Sequence, residues 1–252
     1  MTRRSTAGNS FQEALHQLRD LKLNAMADEL TLILADPKCQ GLTSDQLLSR
    51  IVDAEYQQHN HTRVKGLIKR AGFKDPTASL DQIDYDPERK INKDVIQQLR
   101  TNAYIQGHRN VVIGGPTGAG KSFISQALGI NACQAQYHVR YIGMYDLMTE
   151  FAIREASPQS VMEYLKKLTK PDVLIIDDFM MTNVTKDAQD FILKLMDSRN
   201  KKNSTIVSSQ LMEVEWRRRF IDRAIGEAAI DRLVHNAFTL NIEGKDMREK
   251  YM

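Results

Sequence analysis

The segment Gly115-Pro116-Thr117-Gly118-Ala119-Gly120-Lys121-Ser122 limits what this chain can fold into more than any other stretch. It satisfies the spacing G-x-x-x-x-G-K-[ST], follows the apolar run Val111-Val112-Ile113, and leads into a helix-compatible sequence. Its glycines let backbone N–H groups turn inward without a Cβ clash. A helix beginning at Lys121 adds its positive dipole end and unpaired N–H groups. Strand, loop and helix in that order make a cradle for phosphates. Gly115, Pro116, Thr117, Gly118, Ala119, Gly120, Lys121 and Ser122 are therefore the expected nucleotide contacts. Lys121 is placed to reach the β- and γ-phosphates, and the Ser122 hydroxyl is a Mg2+ ligand. The sequence holds no Asn-Lys-x-Asp guanine-reading motif, which disfavours small GTPases and favours ATP.

A second motif fits the first. Val173-Leu174-Ile175-Ile176-Asp177-Asp178 is an apolar β-run ending in two carboxylates. On a buried parallel strand only the C-terminal end opens into the ligand crevice. Asp177 is thus placed to hold Mg2+, directly or through water, and Asp178 to orient or deprotonate the attacking water. The strand Val139–Gly143 lies between the two motifs in sequence, the layout of additional-strand P-loop enzymes. Asp178 is one methylene shorter than the Glu that is commoner at this point, which leaves binding intact and points to slow hydrolysis.

Strands and helices alternate around these motifs. Asn92 caps a predicted helix through Tyr104, and further strands are expected at Thr205–Ser208 and near Phe238–Ile242. Helices are expected after Lys121, at Tyr145–Glu155, Ser157–Leu168 and Lys186–Met196. The implied class is α/β, a parallel five-stranded sheet with helices on both faces. The N-terminal part reads as all-α. Ser10 caps a helix carrying Leu15, Leu18 and Leu21 and continuing toward Met26, Leu30 and Leu34. A second helix starts at Thr43, where Thr43-x-x-Gln46 matches a capping box, and ends at Gly72. Phe73 to Lys90 reads as an extended connection, so residues 1–75 form a small helical domain and 76–252 the nucleotide-binding domain.

Composition narrows the setting. A hydrophobic share of 42% and a charged share of 27% belong to an ordinary globular chain. No apolar run approaches the roughly 18–20 residues that span a bilayer, and the charged N-terminus lacks the apolar core of a secretory signal. Cys39 and Cys133 lie far apart without metal-ligand spacing, as free thiols in a reducing cytosol. His59-Asn60-His61 lacks the further ligands that a metal site needs.

Taken together, Gly115–Ser122, Ile175-Ile176-Asp177-Asp178-Phe179, Thr205-Ile206-Val207-Ser208-Ser209-Gln210, Trp216 and Ala229-Ile230-Asp231-Arg232-Leu233-Val234-His235 resemble the IstB family. These are AAA+ ATPases that help transposition of bacterial insertion sequences, close relatives of the helicase loader DnaC. Glu55, Arg63 and Lys69-Arg70-Ala71-Gly72-Phe73 also fit, and Gly244-Lys245-Asp246-Met247-Arg248 echoes the family's Gly-x-Ser-x-Arg ending with Asp246 in place of Ser. The resemblance implies a P-loop AAA+ fold in which the fourth strand lies beside the phosphate-loop strand, bringing Ser209 and Gln210 near the γ-phosphate. Gln210 matches the polar sensor position. Arg232 matches the arginine finger; its alternative is a helix-surface arginine paired with Asp231 or Glu227. As a finger it requires a homo-oligomer with shared ATP sites. Only 20 residues follow Arg232, so no substantial C-terminal lid is expected, or Arg248 supplies a residual contact. The implied partners are duplex DNA and the transposase of the same insertion sequence, in the bacterial cytoplasm at the nucleoid.

Two basic clusters bear on DNA. Arg63, Lys65, Lys69, Arg70 and Lys74 occur with no acidic residue among them, alongside an apolar face of Val64, Leu67, Ile68 and Ala71. Arg63, Lys65, Lys69 and Arg70 suit phosphate contacts on duplex DNA, or a solvated face, or an acidic partner protein. Trp216-Arg217-Arg218-Arg219-Phe220 is flanked by Glu213, Glu215 and Asp222, which makes local pairing an equal reading. The net charge of +3 decides nothing alone.

Overall fold

The computed structural model describes residues 5–244, with side chains from residue 11 onward except Gln40. Asp246 and Arg248 lie outside the described residues. The chain forms two compact units, Met1–Lys65 and Gly66–Met252.

In the first unit, α1 (Ser5–Asp20) and α2 (Asn24–Ala35) replace the helix expected from Ser10 continuing toward Leu34. α1 already begins at Ser5, so Ser10 lies inside it. The break is a Schellman turn: Lys22 takes φ 62°, its N–H donates to the Arg19 carbonyl, and the Leu23 N–H donates to that of Leu18. A lysine where glycine is usual hides this stop from a sequence reading. The capping box at Thr43 forms, with Thr43 N–H donating to Gln46 Oε1 at 3.0 Å and Gln46 N–H to Thr43 Oγ1 at 3.3 Å. It opens α3 (Ser44–Ala71), which runs unbroken through its polar middle and stops where Gly72 takes φ 79°. Glu55 on α3 accepts the Met26 N–H at 3.0 Å, setting a carboxylate at the first turn of α2.

The second unit takes in the last turn and a half of α3, because Leu67 and Ala71 are buried in its core. The units therefore part inside a helix, where the sequence reading places a boundary at 75/76. Two 3-10 turns, Leu80–Gln82 and Pro87–Arg89, punctuate the connection up to Lys90. Asn92 then caps α4 (Lys93–Arg100), its Oδ1 accepting from the Asp94 and Val95 N–H groups. The helix expected through Tyr104 is interrupted: Asn102 sits at φ 60°, and α5 (Ala103–Gln106) follows as one short turn.

Five strands then form one sheet, β1 (Asn110–Gly114), β2 (Val139–Gly143), β3 (Val173–Asp177), β4 (Ser204–Ser209) and β5 (Ala237–Asn241). Every pairing is parallel and the spatial order is β2-β3-β4-β1-β5. Alternate side chains enter two cores, one on each face. Val111, Ile113, Val173, Ile175 and Ile206 face α4 and α6 (Lys121–Gln134), while Leu174, Ile176 and Val207 face the other helices. Those are α7 (Met144–Arg154), α8 (Pro158–Thr169), α9 (Lys186–Arg199) and α11 (Arg223–Val234), with short α10 (Glu213–Arg217) beside them. This is the doubly covered P-loop AAA+ architecture. β4 lies between β1 and β3, so the ends of three neighbouring strands supply the phosphate loop, Asp177 and Gln210. Among the described residues no helix is long and apolar enough to cross a membrane.

Candidate active site

The phosphate loop leaves β1 at Gly114, whose carbonyl accepts the Ile242 N–H at 2.8 Å. Gly115 holds φ 154°, and a Cβ there would lie 2.5 Å from the Ile242 carbonyl oxygen, so no other residue fits the close approach of this segment to the loop. Gly120 takes φ 87° immediately before α6 starts at Lys121. The loop borders a cavity of about 830 Å³ whose lining includes Thr117, Gly118, Gly120, Lys121, Ser122, Asp178 and Gln210. Its other wall comes from the connection before β1: Asp75, Thr77, Gln82, Ile83, Asp84 and Arg89. The size suits a mononucleotide.

Lys121 is buried, and its Nζ donates to the Pro116 carbonyl at 2.7 Å, folding the side chain back along the loop. Ser122 Oγ donates to Asp177 Oδ1 at 3.0 Å. Asp177 is 2% exposed, yet among the described residues every donor to its carboxylate is a neutral hydroxyl: Ser122 and Ser208 at Oδ1, and Tyr141 at Oδ2, the last at 2.6 Å. Burial first, then this bond to Asp177, holds the Tyr141 phenol far above its ordinary range, so it stays protonated as a donor. Asp178 is exposed and lines the cavity at φ 54°, a left-handed conformation that Asp tolerates better than most residues. The adjoining Phe179 is buried edge-on against Trp216, ring centroids 5.1 Å apart. The chain thus turns one carboxylate inward and the next outward.

Gln210 reaches the loop from β4, its Oε1 accepting the Thr117 hydroxyl at 2.6 Å. Ser209, expected beside it, is turned into the core instead. It donates to the Phe179 carbonyl and accepts from Trp216 Nε1 at 3.0 Å. Arg232 does not enter its own chain's cavity; its Nε donates to Asp197 Oδ1 at 2.7 Å, joining α11 to α9. Neither Asp231 nor Glu227 is its partner, because Arg217 takes Asp231 (2.8 Å) and Arg223 takes Glu227 (2.8 Å). Arg217 also pairs with Glu213, so this arginine of the second basic cluster is locally neutralised. Arg63, Lys65, Lys69 and Arg70 are all exposed on α3 and make no ion pair among the described residues.

With that geometry in view, residues 16–252 match the family described as IstB-like ATP binding protein. The chain belongs to this family. As an IstB-like protein it binds ATP and is an ATPase of the AAA+ P-loop class. A relative from Sinorhizobium fredii, designated insertion sequence ATP-binding protein y4uH, is 30% identical over 93% of this chain and 94% of its own length. The IS1162 ATP-binding protein of Pseudomonas fluorescens is 32% identical over 79% and 86%. Among solved structures, the DnaC helicase loader superposes with TM-score 0.54 at 16% identity over 66% of this chain and 97% of that one. AMPPCP-bound DnaA from Aquifex aeolicus gives 0.58 at 18% over 71% and 54%. These two likenesses bear on the fold of this chain alone.

Several site residues escape a reading of sequence motifs. Tyr141 and Ser208 reach Asp177 from neighbouring strands, and Gln126 ties the connection to α6 by accepting the Asp75 N–H at 2.8 Å. Their one local signal is a polar group at an inward-facing position of an apolar element.

Proposed function

We propose that this chain hydrolyses ATP at the cavity beside Gly115–Ser122, in an oligomer assembled on duplex DNA, and so assists a transposase. The observation that carries the chemistry is the Ser122–Asp177 contact with Asp178 exposed next to it. A buried carboxylate and a hydroxyl 3.0 Å apart offer hard oxygen donors, the set Mg2+ accepts when phosphates and water complete its shell. Ser122 and Asp177 would hold Mg2+, which supplies neutralisation of the β- and γ-phosphate charge. Lys121 releases the Pro116 carbonyl and moves to the phosphates. Asp178 accepts a proton from the attacking water while the water oxygen bonds to the γ-phosphorus. The bond from that phosphorus to the bridging oxygen breaks, leaving ADP and phosphate, with Gln210 orienting the water or a phosphate oxygen.

The relatives' designations as insertion sequence ATP-binding proteins support the transposase role, and the exposed basic residues of α3 support DNA as the assembly surface. Arg232, absent from its own cavity, suits a finger directed at a neighbour's ATP. Steady-state phosphate release, with and without duplex DNA at several protein concentrations, tests the reading. Asp178→Asn cannot take up the proton and is expected to slow release by about 100-fold or more while still binding ATP. Release at the wild-type rate from that variant would remove Asp178 from the chemistry. Stable capture of a hexameric helicase in place of a transposase would make the chain a loader.

A further inference from the structure

Arg89 is a second buried cation at the phosphate loop, 5% exposed and part of the cavity wall. Its Nη2 donates to the Ala119 carbonyl at 2.7 Å and its Nη1 donates to the Asp84 carbonyl. Both bonds go to neutral carbonyl oxygens and not to a carboxylate, so the guanidinium charge is left to act on the cavity. The backbone that carries Arg89 is also fastened. The Glu243 N–H donates to the Arg89 carbonyl at 3.0 Å, Lys90 pairs with Glu243 at 2.6 Å, and Gly244 packs so closely that a Cβ would lie 3.1 Å from the Glu88 carbonyl oxygen.

The Ala119 carbonyl and the Gly120 N–H belong to one planar trans peptide, so they point in opposite directions. Fixing the carbonyl fixes the N–H. Among the described residues neither the Gly118 nor the Gly120 N–H donates to a protein acceptor, which leaves both for a ligand. A Cβ on Gly120 would sit 3.0 Å from Arg89 Nη2, so guanidinium and loop are in direct contact. We propose that Arg89 is a positioning residue of the ATP site: it pins the Ala119 peptide so that the Gly120 N–H faces the bound phosphates, and it adds positive potential beneath them. The inference rests on the reading of this cavity as the ATP site.

The test compares wild type, Arg89→Lys, Arg89→Gln and Lys121→Ala by calorimetric ATP binding and by amide hydrogen exchange of the free proteins. Loss of the charge-assisted bond is expected to weaken ATP binding by about tenfold in Arg89→Gln, with Arg89→Lys less affected. Exchange should rise at residues 115–122 while β2 and β3 keep their protection. Unchanged affinity, or exchange that rises equally throughout, would overturn the proposal. Should the variants not fold, the wild type decides: ATP must slow exchange at 84–90 together with 115–122, and a segment 84–90 indifferent to ATP overturns it. Wild type that fails to bind ATP defeats the site reading itself. Normal binding by wild type and both Arg89 variants, with Lys121→Ala defective, defeats only the role of Arg89.

Discussion

Asp177 is buried and collects hydroxyl donors from three elements, α6, β2 and β4. Cys133 is buried without such company among the described residues. Cys133 on α6 is fully buried, and burial pushes its thiol up to about 12 from an ordinary 9.0, with the Arg70 charge opposing weakly. A thiol whose folded pKa is raised is favoured in its protonated form. Its contribution to stability is therefore complete below pH 9 and lost as pH rises toward 12. Iodoacetamide at pH 8 should modify the partly exposed Cys39 in the native protein and Cys133 only after unfolding, as peptide mass mapping will show. Prompt native labelling of Cys133 would contradict this burial. The same contrast explains what could be read at residue scale. Gly115–Ser122 and Asp177-Asp178 are contiguous, so their chemistry is written in one stretch. Arg89 and Tyr141 are separated from the loop in sequence and join it through the fold alone, Arg89 through a turn and Tyr141 through a strand on the far side of β3.

Element boundaries were legible where a side chain makes the cap and obscure where the backbone does. Thr43 with Gln46, Asn92 and Ser157 all cap as their types suggest. The stops at Lys22 and Asn102 rest on positive φ at residues other than glycine, which only the surrounding packing enforces. Arg199, the last residue of α9, shows how far such packing goes. It is 1% exposed and donates to the carbonyls of Leu168, Pro171 and Ser204 and to Thr205 Oγ1, binding the ends of α8, α9 and β4 around one guanidinium. Burial lowers its pKa to about 9, with the charge of Asp172 acting against the fall. Arg199→Met leaves those carbonyls unpaired and should cost about 3–5 kcal/mol, read as a lower urea midpoint. α3 carries a different prediction, about binding in solution. Neutralising Lys65, Lys69 and Arg70 together should weaken duplex DNA binding for every sequence. It should also reduce the slope of log affinity against log salt by up to about 2.7, roughly 0.9 for each phosphate that is no longer neutralised. An unaltered slope would take this helix out of the interface.

At the scale of the whole molecule the question is whether one chain holds a complete catalytic site. The phosphate loop, Asp177, Asp178 and Gln210 converge on one cavity, while Arg232 is held on α11 by Asp197 of α9 and does not line it. An arginine that only tied two helices together would act within its own subunit. A finger would act on the next one, and these two roles give opposite results in a mixture. Lys121→Ala retains Arg232 but lacks a working loop; Arg232→Ala retains the loop but lacks the finger. Each should be nearly inactive alone, the second through loss of transition-state charge stabilisation of about 10³ or more. Mixed in equal amounts before assembly on duplex DNA, about one interface in four pairs an intact loop with an intact neighbouring Arg232 in a head-to-tail ring or filament. Phosphate release should recover to about that fraction of wild type, and the recovery should vanish on dilution below the concentration needed for assembly. A mixture no more active than its components would confine Arg232 to the α9–α11 contact and leave the site self-sufficient. Asp197→Asn sharpens the comparison, because it releases Arg232 from its present partner without touching the cavity. If the finger reading holds, that variant keeps ATPase activity in the assembled state while losing at most about 1 kcal/mol of stability, the scale of an exposed ion pair.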